Sequence, residues 1–226
     1  MNVADAITGR QSLRAFIRDK DVPLDTINKV LTIASRAPSG SNIQPWKAWV
    51  ARGRARDAIA EACHARHMAG DEGAREYNYY PVKWREPYIG RRRETGWGLY
   101  GKLGIEKGDK EEMKLQHGRN YLFFDAPVGL FFTIDRDMEL GSWLDCGMFI
   151  QSVMLAARGE GLETCPQAAF CNYHDTVMAL LGVPGDQMLI CGMSLGYPVP
   201  DAVVNTFRTS RIDVSEFTHI IDKPAS

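Results

Sequence analysis

The chain has 226 residues, 45% hydrophobic and 24% charged, so it can bury a sizeable core while staying within the length of one domain. Twenty-seven basic against twenty-eight acidic side chains leave a formal net charge of -1, which provides no positive field to gather nucleic acid or an anionic bilayer. Met1–Ala6 has no basic region leading into an apolar one, and no apolar run approaches the roughly 18 residues of a membrane span, so a cytoplasmic protein is expected, with neither membrane nor nucleic-acid partners.

Behind Pro23, the apolar residues Leu24, Ile27, Val30, Leu31 and Ala34 recur at three- and four-residue intervals and predict an amphipathic helix that Pro38-Ser39-Gly40 ends. Trp46–Ala51 is short, aromatic and β-branched, as a strand would be. Cys63-His64-x-x-His67 has no second ligand group at metal-site spacing elsewhere and reads as a helix surface beside Arg66, without metal. From about 70 to 116 the chain is Tyr/Trp-rich and strongly charged, an excursion from the core that is either a solvated insertion or a mobile cover over a pocket.

After Ala126-Pro127, the nearly continuous run of Val128, Leu130, Phe131, Phe132 and Ile134 predicts a strand covered on both faces. Ser142 with Asp145 resembles a capping box, and the helix it would open is apolar almost all round from Cys146 to Ala157 before Gly159 and Gly161 stop it, as a buried central helix would be. A helix around Thr176 to Leu181, ended by Gly182 and Pro184, and a strand at Met188–Met193 complete an α+β or α/β alternation. Residues 198–226 form a tail too apolar to float free, with a partner subunit as a candidate surface. The five cysteines include no C-x-x-C pair and read as reduced, buried thiols.

Gly96-Trp97-Gly98-Leu99-Tyr100-Gly101 satisfies G-x-G-x-x-G, but Arg91-Arg92-Arg93-Glu94-Thr95 stands where a dinucleotide-binding turn needs a strand. A nicotinamide cofactor would therefore visit as a substrate, with no dedicated domain. Arg10-Gln11-Ser12-Leu13-Arg14 packs two guanidinium forks and a hydroxyl into a short run able to grip a phosphate, although by composition alone such a run is usually solvated surface.

Taken together, these segments make the chain similar to the nitroreductase family over nearly its full length. Arg10-x-Ser12-x-Arg14-Ala15-Phe16 resembles the family's N-terminal flavin motif, and Ala37-Pro38-Ser39-Gly40-Ser41-Asn42-x-Gln44-Pro45-Trp46 its second. Gly196-Tyr197-Pro198 with Asn205-x-Phe207-Arg208-x-x-Arg211 resembles the C-terminal one. Tyr80-Pro81, Pro87-Tyr88, Arg91-Arg92-Arg93 and Arg119-Asn120-x-x-Phe123-Phe124 further resemble the nitrobenzoate and dinitroaniline reductases.

The resemblance implies an α+β fold, an α/β/α sandwich whose mixed, mainly antiparallel sheet is flanked by helices. It also implies a lid at about 70–116 and a C-terminal extension, about 198–226, swapped onto the partner of a homodimer. FMN would lie at the subunit interface: Arg10, Gln11, Ser12 and Arg211 at its phosphate and ribityl end, Arg208 as the alternate phosphate ligand, and Arg14 near N1 and O2. Pro38, Ser39, Gly40 and Asn42 would lie against the other subunit's flavin. Cys165-Pro166-Gln167-Ala168-Ala169 aligns with the loop whose backbone N–H approaches N5, and it departs from the many relatives that carry Glu-Gly there. Asn120 or Arg119 would reach the pyrimidine edge. The implied activity is ping-pong: NADPH or NADH passes a hydride to N5 and leaves, and a nitroaromatic or quinone then takes two electrons, with Tyr80, Trp84, Tyr88 and Trp97 closing over this small aromatic acceptor and no side chain acting as catalytic base. Two rival readings are a reductive dehalogenase like the iodotyrosine deiodinases, using Glu76, Tyr80 and Lys83 or Lys102, and a flavin-binding protein without turnover.

Overall fold

A computed structural model describes residues 1–224. The chain forms α1 (Val3–Gly9), α2 (Leu24–Ala34), β1 (Lys47–Arg52), α3 (Gly53–Met68), α4 (Tyr88–Lys102), α5 (Lys110–Gly118), β2 (Val128–Asp135), α6 (Leu140–Gly159), β3 (Glu163–Gln167), α7 (His174–Leu181) and β4 (Gln187–Gly196). The strands lie in the order β1-β2-β4-β3 with every neighbouring pair antiparallel. Parallel pairing is confined, among the described residues, to single bridges at Ser12–Thr164 and Ala74–Tyr173.

Strand β2 explains the layers. Successive side chains of a strand point to opposite faces, so Val128, Leu130, Phe132 and Ile134 enter one core with α2 and α6, while Phe131 enters a second with α3, α7, Phe123 and Phe170. Both faces are covered, which is why the strand reads as an unbroken apolar run. The α/β/α sandwich expected from the sequence is the result.

Helix α6 departs from expectation at its start. It begins at Leu140 behind Glu139, with no side-chain cap bond, so Ser142 and Asp145 do not open it. Both are buried one turn further in, where Asp145 Oδ2 accepts the Gly40 N–H at 3.2 Å and latches the loop after α2. From Cys146 to Ala157 every residue but Gly147 is buried or half-buried, as expected, with Phe149 stacked on Trp46 at 4.8 Å, while ahead of that stretch Leu140 and Leu144 are 83% and 68% exposed. It is long and apolar enough to cross a membrane by length and composition, but half of its most apolar window is buried against the sheet and α2.

Strand β3 was not expected, because Cys165-Pro166-Gln167 looks like a loop. It forms at the sheet edge, paired on one side with β4, where Pro166 opposite Met193 needs no ladder N–H on its open side. The excursion of residues 70–116 is largely helical, and it divides into docked and exposed parts. Ala74 N–H reaches Asn172 O (2.8 Å), Tyr77 packs edge-on against Trp143 (4.7 Å), and α5 is stitched to α3 by Lys114 Nζ on Met68 O (2.8 Å). By contrast, α4 has no buried residue. The tail contacts its own chain as far as Ser210, beyond which Phe217, Ile220 and Ile221 are exposed.

All five cysteines are free and buried, as the sequence suggested. Cys63, His64 and His67 lie in the last turns of α3, with His67 Nε2 bonded to Lys114 O (2.9 Å) across the interface with α5.

Candidate functional site

Where α1 ends, Arg10 turns to extended backbone and the chain runs along the β3 edge, with Leu13 N–H on Thr164 O (3.2 Å) and Phe16 N–H on Phe124 O (3.1 Å). The tail returns to the same place through Asn205. Its Oδ1 accepts the N–H groups of Arg14 (2.8 Å) and Ala15 (3.1 Å), and its Nδ2 donates to Ala15 O (2.9 Å). This clamp brings two segments almost 200 residues apart into register. Between them opens a cleft of about 580 Å³, lined by Arg10, Gln11, Ser12 and Arg14 on one side and Phe207, Arg208 and Arg211 on the other, with Thr95 of α4 at its edge. Gln11 bridges the two sides, donating to Asn205 O (3.3 Å) and accepting from Arg208 Nη2 (3.2 Å).

Four guanidinium groups line this cleft, and the nearest carboxylate is already engaged. Glu163, behind Arg10, is ion-paired with Arg158. Burial raises its pKa, while Arg158, Arg10 and Arg208 oppose the rise. Burial first, and then Arg211, push Arg10 below the usual arginine range; Glu163 only partly offsets them. Arg158 Nε and Glu163 Oε2 are buried without partners, and a Cβ on Gly9 would come within 2.6 Å of Arg158 Nη2, so a larger residue there would make the guanidinium shift. Arg10 and Arg14 are half-buried and Arg208 and Arg211 exposed, and with no carboxylate in the lining this one-sided positive charge suits an anion, which guanidinium forks can grip bidentately if it is a phosphate. The cleft volume is in the range of cofactor sites, about 300–1,000 Å³, and with Ser12 at its wall it fits a flavin mononucleotide's phosphate end.

The remaining expected site residues fall into three groups. Gln167 is 2% exposed, and its carboxamide donates to Asn120 O (2.6 Å) and accepts from the Ser194 hydroxyl (2.7 Å), which ties β3 to the end of α5. Asn120 Nδ2 turns back to His117 O (2.9 Å) and Arg119 pairs with Asp125 (2.7 Å). Ala168 and Ala169 open the 3-10 turn after β3, so this group presents main chain, with Pro166 just before it. Burial pushes the neighbouring Cys165 thiol up to about 11, although Arg14 and Arg10 pull it the other way, so it is no nucleophile.

Pro38, Ser39, Gly40 and Asn42 do not line the arginine cleft of their own chain. They form a strained loop in which Ser41, Asn42 and Gln44 hold φ of 48°, 56° and 51°, supported by Asp145 and by Ser39 Oγ accepting from Gln44 N–H (3.0 Å). Strain of this kind persists only where the surroundings enforce it, and it concentrates at ligand clamps. In the third group, Tyr80, Trp84 and Tyr88 share a recess with Arg91, Arg92 and Thr95, whereas Trp97 faces a neighbouring recess with Tyr100. Thr95, Asn205, Arg158 and Glu163 went unrecognised as parts of the site; only Asn205 lay inside a motif, and nothing local marks it as a clamp.

The model of the nitroreductase family matches residues 7–197. The chain belongs to the nitroreductase family. Among similar family members, it is 42% identical over 197 residues to the 4-nitrobenzoate reductase of Nocardioides sp. (strain LMS-CY), spanning 85% of this chain and 79% of that one. It is 37% identical over 220 residues to the chloronitrobenzene nitroreductase of Comamonas testosteroni, spanning 97% and 96%. The solved structure of the FMN and NADPH-dependent nitroreductase NfnB from Sphigopyxis sp. strain HMH superposes with a TM-score of 0.95 at 38% identity, covering 99% of this chain and all of that one. Glu76, which the dehalogenase reading needs as a ligand, is instead half-buried and paired with Arg136 (2.6 Å) and His174 (3.3 Å).

Proposed function

We propose that the protein is an FMN-dependent nitroreductase that takes electrons from NAD(P)H and delivers them in pairs to small nitroaromatic compounds or quinones. One observation carries the reading: the uncompensated guanidinium cluster of Arg10, Arg14, Arg208 and Arg211 around Ser12, on a chain whose full-length relatives are named nitroreductases. When bound, the flavin supplies the two-electron chemistry. The chain's own residues hold and orient. Arg10, Ser12 and Arg211 grip the phosphate, and Arg208 joins them through Gln11. Arg14, whose Nη1 is steadied by Ser12 O (3.1 Å), offsets negative charge at the redox-active ring. The main chain of Pro166, Gln167, Ala168 and Ala169 approaches that ring, its course secured by the Gln167–Asn120–Ser194 bonds. No nucleophile or carboxylate pair is required, and protons can come from solvent.

The working unit on this reading is a homodimer. The exposed Leu140 and Leu144 of α6 and the tail's Phe217, Ile220 and Ile221 are apolar enough to need a partner, and Pro38–Asn42, absent from the cleft of their own chain, complete that of a second copy. Five free cysteines fit a reducing cytoplasm. The purified protein should be yellow and should oxidise NADPH or NADH faster when a nitrobenzoate or quinone is added. Protein that cannot be loaded with FMN overturns the proposal; protein that binds FMN but shows no acceptor-dependent oxidation is a flavin-binding module.

A further inference from the structure

We propose that the recess between Tyr80, Trp84 and Tyr88 binds the adenosine 2′-phosphate of NADPH, with Arg91 and Arg92 holding the phosphate, which makes this segment the determinant of NADPH over NADH. Its position relative to the reacting ring rests on the flavin reading above, whereas its ligand chemistry rests on the recess alone.

Charge comes first. Between Lys83 and Thr95 the chain carries five basic and two acidic residues. The two acids are occupied, Glu86 by the Gly90 N–H (3.2 Å) and Glu94 by the Ser210 hydroxyl (2.8 Å). Among the described residues, Arg85, Arg91, Arg92 and Arg93 form no ion pair. Three of them lie instead on aromatic faces: Arg92 is 4.8 Å from the Trp84 ring, and Arg85 and Arg91 are 4.8 and 5.8 Å from that of Tyr88. A guanidinium stacked this way uses its flat face and keeps its N–H rim free to fork onto an oxyanion.

Shape and place select the ligand. The recess encloses about 440 Å³, and Tyr80 and Tyr88 still expose 51% and 44% of their surface to it or to solvent. Tyr80 and Trp84 pack on each other 5.3 Å apart at 40° with Arg92 over Trp84, so the surface left for a flat heterocycle is that of the half-exposed Tyr80. Thr95 is a wall both of this recess and of the arginine cleft. Contacts of Glu94 with Ser210 and of Gly98 with Phe207 fix this part of α4 on the segment that bears Arg208 and Arg211, the phosphate end of the cleft. A one-ring acceptor must come within about 3–3.5 Å of the redox ring to react, and a site across Thr95 from the phosphate end does not put it there. A dinucleotide is long enough to lie in both places. The 2′-phosphate, with roughly -1.5 to -2 charges as a phosphomonoester at pH 7, is the group that distinguishes NADPH from NADH, and it is what two unpaired arginines would read.

The test uses FMN-loaded enzyme and the variants Arg92→Ala, Arg92→Lys and Arg91→Ala/Arg92→Ala, with flavin reduction followed by stopped flow and binding of adenosine 2′,5′-bisphosphate and 5′-AMP followed by calorimetry. Arg92→Ala should weaken NADPH roughly tenfold or more, the loss of a charge-assisted pair, without a matching loss for NADH. The double variant should lose more, and the lysine variant should recover part. The bisphosphate should bind the native protein more tightly than 5′-AMP and lose that advantage in Arg92→Ala; this arm does not depend on flavin, so it fails or succeeds independently of the proposed activity. Equal weakening of NADPH and NADH would overturn the proposal. So would a rise in KM for a nitrobenzoate against nitrobenzene with NADPH unaffected, which would assign the arginines to the acceptor's carboxylate.

Discussion

Helices α6 and α4 are comparable in length, 20 and 15 residues, and opposite in what holds them. Nine residues of α6 are buried, between β2, β4 and α2. None of α4 is buried, and four of its residues are glycine, each costing about 1 kcal/mol of helix propensity relative to alanine. What keeps α4 folded is attachment: Glu86 at its start, Phe207 against Gly98 and Ser210 on Glu94. Burial therefore makes α6 a fixed part of the scaffold, whereas α4 sits at the low-stability end of the molecule, where a cover that opens for substrates must be.

The comparison is exposed first to core truncation. Phe132→Ala, at a position with no solvent exposure, should cost about 3–5 kcal/mol in urea unfolding, whereas Trp97→Ala on α4 should stay within about 1 kcal/mol. Similar costs would break the distinction. Next in size is the cleft between the two regions: Arg10→Ala should weaken FMN roughly tenfold to a hundredfold through the loss of charge-assisted phosphate bonds, measured by release of flavin fluorescence. The apoprotein's unfolding midpoint should not fall with it, since the substitution also relieves repulsion from Arg211.

Within α4, two glycines should respond with opposite signs. A Cβ at Gly96 meets nothing within 4 Å, so Gly96→Ala should stabilise by about 0.5–1 kcal/mol. At Gly98 the Cβ would lie 2.6 Å from Phe207 Cε2, so Gly98→Ala should separate α4 from the tail and raise its hydrogen exchange. The smallest expected effect concerns pH. Burial, and then the neighbouring His67, lower the pKa of His117 and His64 at the α3–α5 interface below the ordinary 6.5. The unfolded chain then takes up protons first, so this stability is complete above pH 6.5 and is lost as pH falls through the depressed values. His117→Gln should flatten the acid limb of a pH–stability curve.

Local pattern revealed much of the scaffold. The period of α2, the two-faced run of β2 and the stop at Gly182, which takes the left-handed φ of 69°, are properties of neighbouring residues and survive into the structure. The G-x-G-x-x-G stretch lies inside a helix and not at a strand-to-helix turn, and its Gly98 makes room for Phe207. Strand β3 was missed because Pro166 argues locally against a strand, and only an edge position makes it harmless. Ser142 and Asp145 have the spacing of a cap but lie within the helix, where burial and the Gly40 N–H set the aspartate's role.

By itself the sequence determined the alternation of helices and strands, since hydrophobic periodicity is a local quantity, whereas the grouping of Arg10 and Arg14 with Arg208 and Arg211 was legible only through the resemblance to the nitroreductase family. Tertiary structure alone decided which groups those arginines face: Asn205 clamping Arg14 from 191 positions away, Glu163 shared with Arg158, Gln167 spent on Asn120 and Ser194, and Thr95 standing between two recesses. Hydrogen bonds and ion pairs between residues far apart in the chain depend on how the layers pack, and no local spacing records that packing.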